Sequence, residues 1–153
     1  MQNILSDEDV EGILIQEGFK PSDILLEDDI YQIMSGTFFE TSFLGKVFGL
    51  ERWNYALGGS DCGKFSVRLA GQLFKKYQDS QRADYFQGSN MPACLIGFVK
   101  YRRLDGITHI VNATVLNTGG KYHVSYFERT ETGIHWVVLS DQEKATLVYF
   151  HAY

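Results

Sequence analysis

The sequence predicts an α+β fold in which a helical N-terminal half packs on an antiparallel β-sheet. Helix signals, namely capping residues and apolar residues at four-residue spacing, occupy the chain to about residue 78. From residue 93 to residue 150 the pattern changes to short β-prone runs separated by tight turns. Because 153 residues suffice for one domain with a core, we expect a single domain over 1–153.

Two helices are predicted before the central loop of the chain. Ser6-Asp7-Glu8-Asp9 is typical of a helix start and Gly18 ends the helix, which we place at 6–18. A second helix is predicted roughly over Glu40–Phe48, in an aromatic segment with core-like spacing. Between them, Glu27-Asp28-Asp29 offers the oxygen ligands that hard cations prefer, but apolar residues flank these acids and favour a solvated turn.

The segment Gly58–Ser66 is a loop that becomes a helix at a cysteine. Its glycines permit a turn, and Ser60 or Asp61 can cap the first helical turn. At this position Cys62 feels the positive end of the helix dipole, which favours the thiolate, and one helix face stays apolar as far as about Tyr77. The alternative interpretation is a small buried residue at a helix start, because free cysteines are often buried.

The second half predicts an antiparallel meander. Asp105-Gly106 is a strong hairpin signal, Asn117–Gly120 is a second tight turn, and Ser140–Glu143 resembles a capping box. The predicted strands are Ala93–Arg103, Ile107–Leu116, Lys121–Phe127, Ile134–Leu139 and Thr146–Phe150.

A nucleophilic cysteine needs a base, and the base needs a group that orients it. Counting outward from the turn at Asn117–Gly120, His109 lies roughly level with Glu128 at the far ends of the hairpin. Cys62, His109 and Glu128 therefore form a coherent nucleophile, base and orienting residue. Asn54, just upstream of the cysteine loop, is a candidate amide donor to an oxyanion, although asparagine is also common in turns.

The remaining imidazoles have simpler interpretations. His123 precedes Val124 and alternates outward, His135 beside Trp136 is typical of an exposed strand, and His151 lies near the end of the sequence. Any strand-rich domain offers some histidine and some acid near a hairpin end, so spacing alone leaves the triad open.

Charge and cysteine content limit the class of partner and compartment. A net charge of -5 argues against binding to nucleic acid or to an anionic membrane, and the basic run Lys100–Arg103 is typical of a solvated strand end. Two cysteines do not make a disulfide framework, so we expect a reducing cytoplasm. The polar, acidic segment Met1–Val10 predicts no signal peptide, and no apolar run predicts a membrane span.

Four segments together resemble the papain-like, transglutaminase-shaped cysteine hydrolases, and in particular the C-terminal protease domain of the mushroom agglutinins and its bacterial and phage relatives. These segments are Ser60–Ser66 heading a helix, His109–Ala113 on a strand, Tyr122–Glu128, and the closing run to Tyr149-Phe150. The resemblance spans roughly residues 30–150. It implies a papain-like fold and a triad in the order cysteine, histidine, glutamate, which here are Cys62, His109 and Glu128.

The chain departs from that family beside the cysteine and beside the glutamate. Gly63 and Lys64 stand where the relatives carry two acids that are implied to bind or position calcium. Lys64 would repel a cation and favour a thiolate, so neither a metal nor another cofactor is expected. Arg129 follows Glu128, and an ion pair between them would hold Glu128 away from His109.

The first functional hypothesis is a cysteine hydrolase that cleaves a peptide or isopeptide amide bond. Its partner is a peptide or protein, with no nucleic acid and no membrane. The alternative is a catalytically silent binding or inhibitory domain, for instance one encoded by a phage and acting on a host protein, which the residues at Gly63 and Lys64 motivate. A third interpretation is acyl transfer to an amine acceptor.

Overall fold

Strands from both halves of the chain join one mixed sheet. A computed structural model describes residues 3–44, 62–82, 92–130 and 133–153. Within these residues the sheet has nine strands. The strands are β1 (Asn3–Ser6), β2 (Ile24–Leu26), β3 (Ile30–Ser35), β4 (Ala93–Cys94), β5 (Gly97–Arg102), β6 (Thr108–Thr118), β7 (Lys121–Thr130), β8 (Gly133–Val137) and β9 (Val148–Ala152).

Strand β6 is the central member of the sheet. The main path runs β1-β3-β6-β5-β9-β2, while β7 pairs with β6, β8 with β7, and β4 with β3. The pairs β3–β6, β3–β4 and β2–β9 are parallel, and the other pairs are antiparallel. The long antiparallel segment β5-β6-β7-β8 corresponds to the predicted meander.

The predicted helical N-terminal half on an antiparallel sheet is wrong. Three strands come from residues 3–35, and two of them enter the sheet parallel to strands of the second half. Each of these three strands is only three to six residues long, so alternation within it is a weak signal. Their partners are also distant in sequence, and local pattern contains no information about such pairing.

The helices are few and lie on both faces of the sheet. They are α1 (Asp7–Glu17), a 3₁₀ turn (Pro21–Asp23), α2 (Gly36–Phe38) continuing into a π-helical segment (Phe39–Leu44), α3 (Cys62–Arg82) and α4 (Asp141–Lys144). Within the described ranges, none of these helices is both long and apolar enough to cross a membrane.

Local signals explain where the helices begin and end. The Ser6 hydroxyl accepts a hydrogen bond from the Asp9 N–H at the start of α1, and Gly18 ends α1 with φ 126°. The predicted helix over residues 40–48 overlaps the π-helical segment, and its residues 45–48 lie outside the described residues. The cysteine helix extends beyond Tyr77 to Arg82.

Two hydrophobic cores lie on opposite faces of the sheet. The α1 core contains Val10 and Leu14 of α1, while the α3 core contains Leu69 and Leu73 of α3. Alternate residues of β6 serve the two cores: Val111, Ala113 and Val115 face α1, and Leu116 faces α3. Side chains that neighbour each other along β6 therefore belong to different environments, which decides how the site is assembled.

Candidate functional site

The two cysteines have different environments. Cys62 is the first residue of α3 and is partly exposed. Cys94 is buried in the α3 core, and burial raises the pKa of its thiol to about 12. Cys62 is therefore the thiol that a substrate or reagent can reach.

The first turns of α3 are fixed to β6 by two hydrogen bonds. The Ser66 hydroxyl donates to the Ile110 carbonyl at 3.4 Å, and the Asn112 side-chain amide donates to the Ser66 carbonyl at 3.2 Å. Ser66 and Asn112 are both buried. Cys62 lies four residues before Ser66 on the same face of the helix, so these contacts direct it toward the start of β6.

His109 and Glu128 form the pair that the hairpin count predicts. His109 Nε2 lies 2.6 Å from Glu128 Oε2, and both side chains are largely buried. The Tyr101 ring meets the imidazole edge-on at a centroid distance of 5.9 Å and holds it from the neighbouring strand. Within the described residues His109 Nδ1 makes no hydrogen bond, which leaves that nitrogen available for a proton from a thiol.

The His109–Glu128 pair lies where β6 and β7 separate. The pairing of these strands runs from Thr118↔Lys121 to Asn112↔Phe127 and goes no further. Beyond this point β6 remains paired with β5, and β7 remains paired with β8. The result is an opening in the sheet, and the Ile110 carbonyl at this opening accepts the hydrogen bond from Ser66.

In the part of the chain that the structure describes, the three predicted residues do not form a complete triad, because Cys62 makes no hydrogen bond to His109. His109 shares the α1 side of the sheet with Tyr101, whereas α3 covers the other side. Cys62 therefore approaches the opening from the side opposite the imidazole, and no hydrogen bond between Cys62 and His109 is present among the described residues. The structure brings His109 and Glu128 together and places Cys62 at the same end of β6.

Arg129 does not compete for Glu128 in the way the sequence suggests. Arg129 lies on the face of β7 that Phe127 presents to the α3 core, and burial, followed by the charge of Arg68 of α3, lowers its pKa. Glu128, one residue earlier on β7, faces the other side and contacts His109. The carboxylate is thus free of the ion pair that would remove it from the imidazole.

A cavity of about 330 Å³ opens beside Cys62 on the α3 side. It is lined by Gly63, Val67, Phe98, Ile110, Tyr149, His151 and Tyr153. Burial, followed by electrostatic interaction with Cys62 and with Tyr153, raises the pKa of the Tyr149 hydroxyl. The predicted last strand stopped at Phe150 and missed this wall, although the alternation Tyr149-x-His151-x-Tyr153 was the available signal.

The other predicted residues have varied positions. Asn54 and Asp61 lie outside the described residues. His123 is exposed on β7, and His135 is the register partner of Glu128 on β8. The acids at residues 27–29 form an exposed turn before β3, in which the Asp28 N–H donates to the Tyr31 hydroxyl. Among the residues that the structure describes, no three His, Cys, Asp or Glu side chains are arranged to hold a metal ion.

Comparison with known proteins gives one structural likeness. No protein-family model and no curated protein matches the chain. The fold is similar to that in a solved structure of the PSL1a-E64 complex, with a TM-score of 0.56, 19% sequence identity and 98% of this chain covered. This chain spans 48% of that one, about half its length. At this identity the likeness shows the fold.

Proposed function

We propose that the protein is a cysteine hydrolase that cleaves a peptide or isopeptide amide, with Cys62 as nucleophile, His109 as base and Glu128 as orienting residue. The 2.6 Å contact between His109 Nε2 and Glu128 Oε2 carries the proposal. This contact occupies one ring nitrogen with a carboxylate and leaves the other for a thiol, which is the division of roles that a thiol–imidazole catalyst needs.

The likeness in fold gives the proposal a second support. E64 is an inhibitor of cysteine proteases, and the similar solved structure is a complex with E64. We further propose that the chain is related to the papain-like cysteine hydrolases, which its sequence resembles. A reducing compartment suits this chemistry because Cys62 stays a free thiol there.

The proposed reaction has two halves. His109 Nδ1 takes the proton of Cys62, and the sulfur attacks the amide carbonyl carbon. The tetrahedral intermediate collapses to a thioester when the imidazolium returns the proton to the departing amine. Water, deprotonated by the same imidazole, then attacks the thioester, which releases the acid and restores the thiol. Glu128 fixes the ring orientation and stabilises the imidazolium throughout.

The reaction requires Cys62 and His109 to meet through the opening between β6 and β7. Catalytic hydrogen bonds are often long in a free enzyme and tighten when substrate binds. The first turn of α3 and the start of β6, which is paired with β5 but not with β7, are the segments whose approach would close the triad. The backbone N–H of Cys62 at the helix start is the proposed oxyanion donor.

Thiol reactivity tests the proposal directly. With iodoacetamide at neutral pH, we expect alkylation of Cys62 at least about 10-fold faster than alkylation of Cys94, read by peptide mass spectrometry. E64 should form a covalent adduct at Cys62. His109→Ala and Glu128→Gln should slow E64 adduct formation by about 10-fold or more, because they remove the base or its orientation.

The matched control for these variants is His123→Ala, which removes an exposed imidazole on the same hairpin as Glu128. It should leave the rate of E64 adduct formation unchanged. Equal slow labelling of both cysteines would contradict the proposal, and so would E64 modification that is insensitive to His109→Ala.

A catalytically silent binding domain is the second candidate. The observation that favours it is the placement of Cys62 and His109 on two sides of β6 without a hydrogen bond. For this candidate, Cys62→Ala would leave the biological effect of the protein unchanged.

A further inference from the structure

We propose that the cavity beside Cys62, hereafter the aromatic cavity, binds an aromatic side chain of the amide substrate. This inference rests on the proposed function and adds the substrate class to it. Three observations carry it: the position of the cavity, the chemistry of its walls and the backbone conformation of Tyr149.

The aromatic cavity adjoins the thiol end of the proposed catalytic centre, on the α3 side of the start of β6. Gly63, which follows Cys62, lines one side, and Ile110, which follows His109, lines another. A side chain seated between them therefore places its own backbone, and an amide of that backbone, beside the sulfur. The absence of a side chain at Gly63 keeps this approach open.

The walls of the aromatic cavity suit a ring. Tyr149 and His151 lie with ring centroids 4.8 Å apart, and Phe98 and Tyr153 with centroids 6.0 Å apart. Of the described residues that line it, none is Asp, Glu, Lys or Arg. A ring gains edge and face contacts with such walls, whereas a charged side chain would lose water there without an ionic partner. The volume of about 330 Å³ lies at the small end of the range for ligand pockets.

Tyr149 reaches the aromatic cavity through an unusual backbone conformation. Its φ is 28°, a left-handed value that a bulky residue rarely adopts, and the pairing of β5 with β9 shifts register between Val99 and Lys100, opposite this point. A bulge re-aims a side chain, and such strain concentrates at functional sites. A glycine would hold this backbone without strain, so the presence of tyrosine indicates that its ring is used.

A matched pair of thiol reagents tests the inference. Tosyl-phenylalanyl chloromethyl ketone and tosyl-lysyl chloromethyl ketone carry the same reactive group and differ in the side chain beside it. In both, the Cys62 sulfur displaces chloride from carbon, so that a carbon–sulfur bond forms and chloride leaves. Rates are measured by mass spectrometry of the intact protein and divided by the iodoacetamide rate, which corrects for the intrinsic reactivity of the thiol.

We expect the phenylalanyl reagent to modify Cys62 about 10-fold faster than the lysyl reagent. The contacts of one well-packed ring can supply a ratio of this size. Phe98→Ala and Tyr149→Gly should reduce the ratio to about 3-fold or less after each rate is divided by that variant's own iodoacetamide rate. Tyr153→Ala alters an exposed wall residue and tests the same point if a more buried variant does not fold. Phe38→Ala is the control: it removes an exposed ring that does not line the aromatic cavity, so it should leave the ratio unchanged.

The outcomes separate this inference from the function on which it rests. A ratio near one in the wild type, a preference for the lysyl reagent, or a phenylalanyl preference that survives both Phe98→Ala and Tyr149→Gly would overturn the aromatic cavity as the binding site. Each of these results leaves a reactive Cys62 in place. Failure of every reagent to prefer Cys62 over Cys94 would overturn the proposed function instead.

Discussion

Asn112 links the start of α3 to the central strand. Its side chain is fully buried, and its amide donates to the Ser66 carbonyl one helical turn after Cys62. The Ser66 hydroxyl bonds back to β6 at Ile110. The position of the thiol relative to His109 thus depends on a polar contact inside the α3 core.

Asn112→Ala should lower the free energy of unfolding by about 1–3 kcal/mol, because it removes a buried hydrogen bond and leaves a gap between helix and strand. It should also slow E64 adduct formation at Cys62. Chemical denaturation and intact-protein mass spectrometry measure the two effects. Asn117→Ala is the control: Asn117 caps the exposed turn before β7 by accepting from the Gly120 N–H, so we expect a smaller loss of stability and no change at Cys62. A shift in stability without a change in E64 reactivity would show that Asn112 does not position the thiol.

At the level of single residues, the sequence predicts contacts that a hairpin determines. His109 and Glu128 are connected by one tight turn, so counting residues sufficed to pair them. The side of the sheet from which Cys62 approaches depends on how α3 docks, and no local pattern encodes that docking. The alternation at Tyr149, His151 and Tyr153 was visible in the sequence, but the bulge and the positive φ that aim the Tyr149 ring were not.

Two glycines, one in α3 and one in β5, have opposite roles in their elements. Gly71 lies within α3, and a Cβ built there meets no atom within 4 Å apart from the backbone of its own helix and its chain neighbours. A Cβ at Gly97 of β5 would approach the Phe150 ring to 2.5 Å. That ring is fully buried and packs edge-on against Phe19 at 5.7 Å, so it has no room to move.

Gly71→Ala should therefore raise the free energy of unfolding by about 0.5–1 kcal/mol through improved helix propensity. Gly97→Ala should lower it by about 1–3 kcal/mol through overpacking against Phe150. Urea denaturation followed by circular dichroism measures both. Equal effects of the two substitutions would contradict the packing described for β5 and β9.

Elements were predictable where both their signal and their partner are local. The cap at Ser6, the stop at Gly18 and the capping box at Ser140 define α1 and α4, and the turn signals define β5 to β8. The sequence did not predict strands β1, β2 and β3, because each is short and pairs with a strand that is not its neighbour in sequence. The predicted fold class failed for this reason.

The molecule buries several weakly acidic groups in their protonated form. Burial raises the pKa of Cys94, Tyr77 and Tyr101 to about 12, with Glu143 and Glu128 adding to the effect at Tyr101. Burial and the neighbouring Glu17 also raise the pKa of Tyr126. These groups ordinarily titrate at 9.0 for the thiol and 10.0 for the phenols.

The contribution of these groups to stability should therefore be constant below about pH 9 and fall as the pH rises from about 9 to 12. The sign follows because the unfolded chain releases these protons first, and deprotonation then favours unfolding. Thermal unfolding monitored by circular dichroism at a series of pH values measures the fall. Tyr101→Phe removes one of the four groups and should reduce the loss between pH 9 and 12 by about 1–2 kcal/mol. An unchanged pH dependence in Tyr101→Phe would contradict this assignment.

The parallel pairing of β2 with β9 joins Ile24–Leu26 to Phe150–Ala152, across most of the chain length. During synthesis, residues 24–26 leave the ribosome long before their partner strand exists. The edge of β5 that β9 covers is likewise open until then. The growing chain must consequently keep two unpaired strand edges away from other nascent proteins, and the sheet can close only after translation has delivered its last strand.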